Sequence, residues 1–94
     1  MGKEVGQYIQ ELRTSQGIGL RRLSEQIGLS AAHLSMVEHG RRETSVTVLY
    51  DIIRTLNGDF VDALQRLALD AGVPAEVLLD WEAAQATGTP PDGR

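Results

Sequence analysis

Apolar residues recur at helical spacing along most of this sequence, and each run is cut short by a glycine or an Asn-Gly pair. A period near 3.6 calls for helices buried on one side, and a glycine free to turn left-handed ends a helix where any other residue resists doing so. Val5, Tyr8, Ile9 and Leu12 predict a first amphipathic helix over residues 3–16, stopped by Gly17. Leu20, Leu23 and Ile27 predict a second of two turns, stopped by Gly28. Ser30 stands where an N-cap belongs, able to accept from the amide of Ala32 or His33, and Leu34 and Val37 give a third helix its buried edge before Gly40. Ser45 caps a fourth, with Leu49, Ile52, Ile53 and Leu56 as its stripe and Asn57-Gly58 as its stop. Asp59 caps a fifth that runs to about Ala71. Pro74 suits the first turn of a sixth, whose stripe is Val77, Leu78 and Trp81. The chain is thereby expected to be all-α, a bundle of short helices joined by tight turns.

A length of 94 residues fits one compact domain with an appended element, and an apolar share of 41% beside 23% charged residues is that of a chain that folds. There is no cysteine, which removes disulfides and thiolate sites and fits a reducing cytoplasm. The apolar runs are far shorter than the roughly 20 residues that span a bilayer, and Met1-Gly2-Lys3-Glu4 does not open a signal peptide, so neither membrane nor export is expected. The formal net charge of −4 is unevenly spread: residues 1–45 carry net +1 and residues 46–94 net −5. Phosphate contacts belong to the first half, if anywhere.

Two short helices joined through Ile27-Gly28-Leu29-Ser30 meet the requirements of a helix-turn-helix: a glycine for the reversed backbone, an apolar residue beneath the turn and a capped second helix. Leu23, Leu29, Leu34 and Val37 are spaced to lock the two together. The pattern alone is equally that of a helical hairpin that merely packs. Around it, however, stand Ile9-Gln10-Glu11-Leu12-Arg13, Leu23-Ser24-Glu25-Gln26-Ile27-Gly28-Leu29-Ser30, Leu34-Ser35-Met36-Val37-Glu38-His39-Gly40-Arg41-Arg42 and the segment from Leu49 to Leu56. Over residues 5–58 the chain thus resembles the XRE family of phage lambda-repressor-like DNA-binding domains, which are built from five helices. The expected fold is that five-helix domain with an additional C-terminal helix.

The resemblance implies that Arg13 pairs with Glu38 as part of the scaffold, a role suited to a guanidinium fork on a carboxylate. It also implies that Ala31, Ala32 and His33 enter the major groove, with Ser35 and Met36 exposed a turn later. His33 can donate to guanine N7 or O6, and the alanines can pack on a thymine methyl. Such a sparse tip leans on DNA shape, on water, or on neighbouring arginines. Where the family often has Gln at the start of the second helix, this chain has Leu20, which puts a contact there in doubt. Arg21 and Arg22 before the tip and Arg41 and Arg42 after it form an expected phosphate clamp, joined by Ser30 and Ser45 at helix N-termini.

The acidic second half invites a different role. Phe60, Leu64, Leu67, Val77, Leu78 and Trp81 are the candidate homodimer surface, since one such domain covers little DNA and two-fold pairing on a palindrome is the common remedy. Trp81 is alternatively a plug for the chain's own core. The organisation expected is a DNA-binding core at 1–58, C-terminal helices at 59–87 that dimerise, and a loose tail at 88–94. No cofactor is expected. His33 and His39 are out of phase for shared ligation, and no nucleophile elbow or phosphate loop is present, so an enzyme is not expected. The reading is a double-stranded-DNA-binding transcriptional repressor; the alternative is an antitoxin or adaptor that binds a regulatory protein partner through its acidic helices.

Overall fold

A computed structural model describes residues 3–80, and these form helices joined by turns, with no strand among them. The helices are α1 (Lys3–Ser15), α2 (Leu20–Ile27), α3 (Ala31–Glu38), α4 (Val46–Thr55) and α5 (Phe60–Asp70), followed by a short α6 at 75–80. Trp81 and the tail at 88–94 lie outside the described residues.

Local chemistry sets each boundary. Gly17, Gly28, Gly40 and Gly72 all have positive φ at helix ends, as expected of left-handed caps. The Ser30 Oγ accepts from the His33 amide at 3.1 Å, the Ser45 Oγ from Val48 at 3.1 Å, and the Asp59 carboxylate from Val61 and Asp62 at 2.9 and 3.2 Å. At the end of α4 the left-handed residue is Asn57, at φ 56°, rather than Gly58. Gly58 is needed for a different reason: a Cβ there would stand 2.5 Å from Leu12 Cδ1 and 3.1 Å from Ile53 Cγ2.

One core serves all five longer helices. Ile9, Leu23, Leu34, Leu49, Ile52, Ile53 and Leu56 are fully buried, with Val5, Val37 and Ala63 beside them. α1 packs between α3 and α5, α2 rests on α3 and α4, and α4 meets α5. Where α1 crosses the end of α3 the backbones touch: a Cβ on Gly6 would collide with the Val37 carbonyl oxygen and lie 2.6 Å from that of Glu38. Only a residue without a side chain permits that approach.

α5 is bound into this core rather than standing apart from it. Its C-terminal Asp70 carboxylate accepts from the Glu4 and Val5 amides at 3.0 and 3.1 Å, so a residue 66 positions away caps α1. Tyr8 Oη accepts from the Asp59 amide at 3.0 Å, and the Arg66 guanidinium lies 4.7 Å from the Tyr8 ring centre. Residue 58 therefore marks a turn, not a gap between packing units. Phe60 and Leu67, expected to serve a second copy, pack partly against this chain's own core, because the broad apolar surface of α5 faces both α1 and α4.

Candidate nucleic-acid interface

The candidate site is built on α2, the turn at 28–30 and α3. Gly28 takes φ 73° and its amide reaches back to the Ser24 carbonyl, which reverses the chain within two residues. Leu23, Leu34 and Val37 are buried in the core, and Leu29, in the turn itself, is half-buried. Ser24 is also buried; its hydroxyl donates to the Arg21 carbonyl at 2.7 Å and so needs no other partner.

α3 is held from behind by an ion pair. Arg13 Nε donates to Glu38 Oε2 at 2.7 Å and Nη2 to Oε1 at 3.0 Å, while Nη1 donates to the Ile18 carbonyl at 2.9 Å. The side chains are 11% and 1% exposed, so water does not compete for either. Hydrogen bonding to Glu38 holds the Arg13 guanidinium above its ordinary pKa, against the opposing effect of burial, with the charge of Glu38 adding to the rise. Two helices and a turn are joined at this point: α1 through Arg13, α3 through Glu38 and the α1–α2 turn through Ile18.

So braced, α3 presents its outer face. Ala32 is exposed, Met36 is 41% exposed, and Ala31, His33 and Ser35 are partly so. The second histidine is occupied elsewhere: His39 Nδ1 donates to the Ser35 carbonyl at 2.8 Å, turned back along the helix. Arg21 and Arg22 are exposed in the first turn of α2. Arg41 and Arg42 are exposed directly after Gly40, and Ser45 is exposed at the head of α4. Four exposed arginines thus flank α3 along the chain, two on α2 before it and two in the loop after it. Among the described residues no group of three or more His, Asp or Glu side chains is arranged to hold a metal ion, and no helix is long and apolar enough to cross a membrane.

Residues 9–62 match the model of the helix-turn-helix family. The chain belongs to that family, in its XRE-type, lambda-repressor-like branch. Family members are DNA-binding transcription regulators and not enzymes. The helix-turn-helix protein described here is similar in structure to the restriction-modification controller protein C.AhdI from Aeromonas hydrophila, at 26% identity and TM-score 0.62 over 66% of this chain and 94% of that one. It is also similar to the clp gene regulator ClgR from Corynebacterium glutamicum. One crystal structure of ClgR aligns over 90% of this chain and 92% of its own at 27% identity and TM-score 0.65, and a second over 78% and 95% at 27% and 0.64. No curated protein sequence matches the chain. These likenesses bear out the all-helical, lambda-repressor-like architecture expected from the sequence.

Several residues on which the site depends went unread in the sequence. Gly6 admits α3 to α1, Gln16 Nε2 donates to the Leu56 carbonyl at 2.7 Å and ties the ends of α1 and α4, and Asp70 caps α1. Gly6 carried a signal, a glycine within a helical period. The other two are ordinary polar residues whose partners lie far along the chain. The sequence also left unremarked an exposed apolar strip on α4 and α5: Val46, Tyr50 and Val61, with the Tyr50 ring edge-on to Phe60 at 5.2 Å between centres.

Proposed function

We propose that this protein is a homodimeric repressor that occupies a palindromic site on double-stranded DNA. The observation that carries this reading is the exposed outer face of α3, rigidly braced by Arg13–Glu38 and bracketed by Arg21, Arg22, Arg41 and Arg42. In this reading Ala31, Ala32, His33, Ser35 and Met36 meet base edges, with His33 the one side chain able to donate a hydrogen bond from a ring nitrogen. The four arginines, with Ser30 and Ser45 at helix N-termini, hold the two phosphate backbones and set the register. Acidic residues of the second half stay away from the DNA.

A second copy is supported by apolar side chains that the single chain leaves exposed, Tyr50, Val61 and Val77, and by others that it covers only in part, Phe60, Leu64, Leu67 and Leu78. The proposed dimer face takes Phe60, Leu64 and Leu67 of α5 and Val77 and Leu78 of α6, with Trp81 beyond the described residues, and extends to Tyr50 and Val61. The adaptor or antitoxin reading draws on the same exposed Val77 and on Leu79, set among Glu76 and Asp80.

A salt titration of binding to duplex DNA from upstream of the gene tests the leading reading. Replacing Arg41 or Arg42 by alanine is expected to reduce the slope of log K against log salt by about 0.9, the signature of one lost phosphate contact. Absence of binding even at low salt would overturn it and leave the adaptor reading.

A further inference from the structure

A groove of about 450 Å³ runs between the loop that follows α3 and the C-terminal end of α5. Val5, Val37, Leu67 and Ala71 supply its apolar lining; Arg41, Arg42, Glu43 and Thr44 stand on the loop side and Asp70 on the other. Asp70 is committed to the first amides of α1, whose positive end offsets its charge. The loop side therefore keeps a net positive charge from two arginines and one glutamate.

Immediately beyond this wall the chain turns at Gly72 (φ 96°, with open space where a Cβ would stand) and enters α6. α6 is poorly seated. Val77 is 51% exposed and Leu79 63% exposed, and no residue of 72–80 lines the groove. Its charge is the complement of the loop's: Glu76 and Asp80 are both exposed and lie on the same flank of the helix, about 40° apart around its axis, with Val77 next to them. Only the two residues 72 and 73 separate the α5 wall from the proline that opens α6.

We propose that α6 docks in this groove of its own chain and covers Arg41 and Arg42, so that the acidic C-terminal helix competes with DNA for the loop after α3. The competition rests on the phosphate role given above to those arginines; the docking does not. Leu67 and Val77 serve either the docked helix or the proposed dimer face, so docking belongs to the free chain and the dimer face to the DNA-bound one. Apolar contact supplies the seat, and paired charge selects the loop side. In this arrangement the acidic half acts as an internal substitute for phosphate, released when DNA displaces it.

The absence of native cysteine makes a crosslink specific. Thr44→Cys with Val77→Cys is oxidised and run under non-reducing conditions, with Glu43→Cys and Val77→Cys as a second pair in case the first is unstable. Docking brings the paired Cα atoms within the roughly 7 Å that a disulfide bridges. The expected product is a disulfide in a species of monomer mass, formed less in the presence of excess duplex DNA. A disulfide-linked dimer would overturn the assignment to the chain's own helix, and failure of both folded pairs to crosslink would overturn docking altogether. In the cysteine-free protein, Glu76→Gln with Asp80→Asn, neither of them in the proposed dimer face, is expected to tighten duplex binding about five-fold if the charge pairing holds α6 docked in four-fifths of free molecules, since affinity scales with the open fraction. Unchanged or weakened binding refutes the competition. A protein that crosslinks as expected yet binds no duplex at low salt would instead overturn the DNA reading and leave the docking intact.

Discussion

Removing the Glu38 side chain offers the sharpest test of how this fold presents α3. In Glu38→Ala the Arg13 guanidinium loses two hydrogen bonds, at 2.7 and 3.0 Å, and keeps the one to the Ile18 carbonyl. Its side chain remains 89% shielded from water unless the helices part. An unpaired charge so placed costs about 3–5 kcal/mol, a large share of the roughly 5–15 kcal/mol that holds a domain together. Two comparison variants separate the causes. Glu38→Gln keeps the shape and one acceptor, and is expected to lose less than Glu38→Ala. Arg13→Met combined with Glu38→Leu removes both charges from a site of similar volume, and is expected to recover most of the loss. Urea unfolding followed by far-ultraviolet circular dichroism gives the free energies, and repeating it in high salt tests screening, to which a pair shielded from solvent is little sensitive. Because pairing with Glu38 raises the Arg13 pKa above its ordinary value, the stabilisation it gives is fully present at every pH below that ordinary value and so across the range in which the fold can be studied. A cost under about 1 kcal/mol for Glu38→Ala would match an exposed ion pair and refute the reasoning, as would a double variant no more stable than the single.

Three further outcomes follow from particular contacts. Gly6→Ala sets a methyl group against two carbonyl oxygens of α3 and is expected to cost about 1–3 kcal/mol; a melting temperature equal to the parent's would mean that α1 and α3 are not in backbone contact. Asp70→Ala uncaps α1 from a distance, at about 0.5–2 kcal/mol, and should speed hydrogen exchange at the Glu4 and Val5 amides before others in α1, whereas unchanged protection there argues against the cap. Ser30→Ala is expected to cost about 1 kcal/mol in urea unfolding and Ser30→Gly only a few tenths, a difference that disappears if the hydroxyl does not cap α3.

The sequence by itself determined most of the helix boundaries. Glycine's freedom at positive φ and the reach of a serine or aspartate oxygen to an amide two or three residues on are local properties, so Gly28, Ser30, Ser45 and Asp59 act as they would in any neighbourhood. Periodicity likewise gave the buried stripes Leu49, Ile52, Ile53 and Leu56. At the interface the arginines were legible as charge around a turn, while the family resemblance supplied the pairing of Arg13 with Glu38, which spacing alone does not suggest. The tertiary structure decided which faces meet. Asp70 against the start of α1, Gln16 against the end of α4 and Gly6 beneath α3 join residues up to 66 positions apart, and no short-range pattern encodes such partners. It also showed that α5 is part of the core rather than a separate element, because a helix with a wide apolar surface can satisfy it against its own chain or another. Only the packed arrangement distinguishes the two.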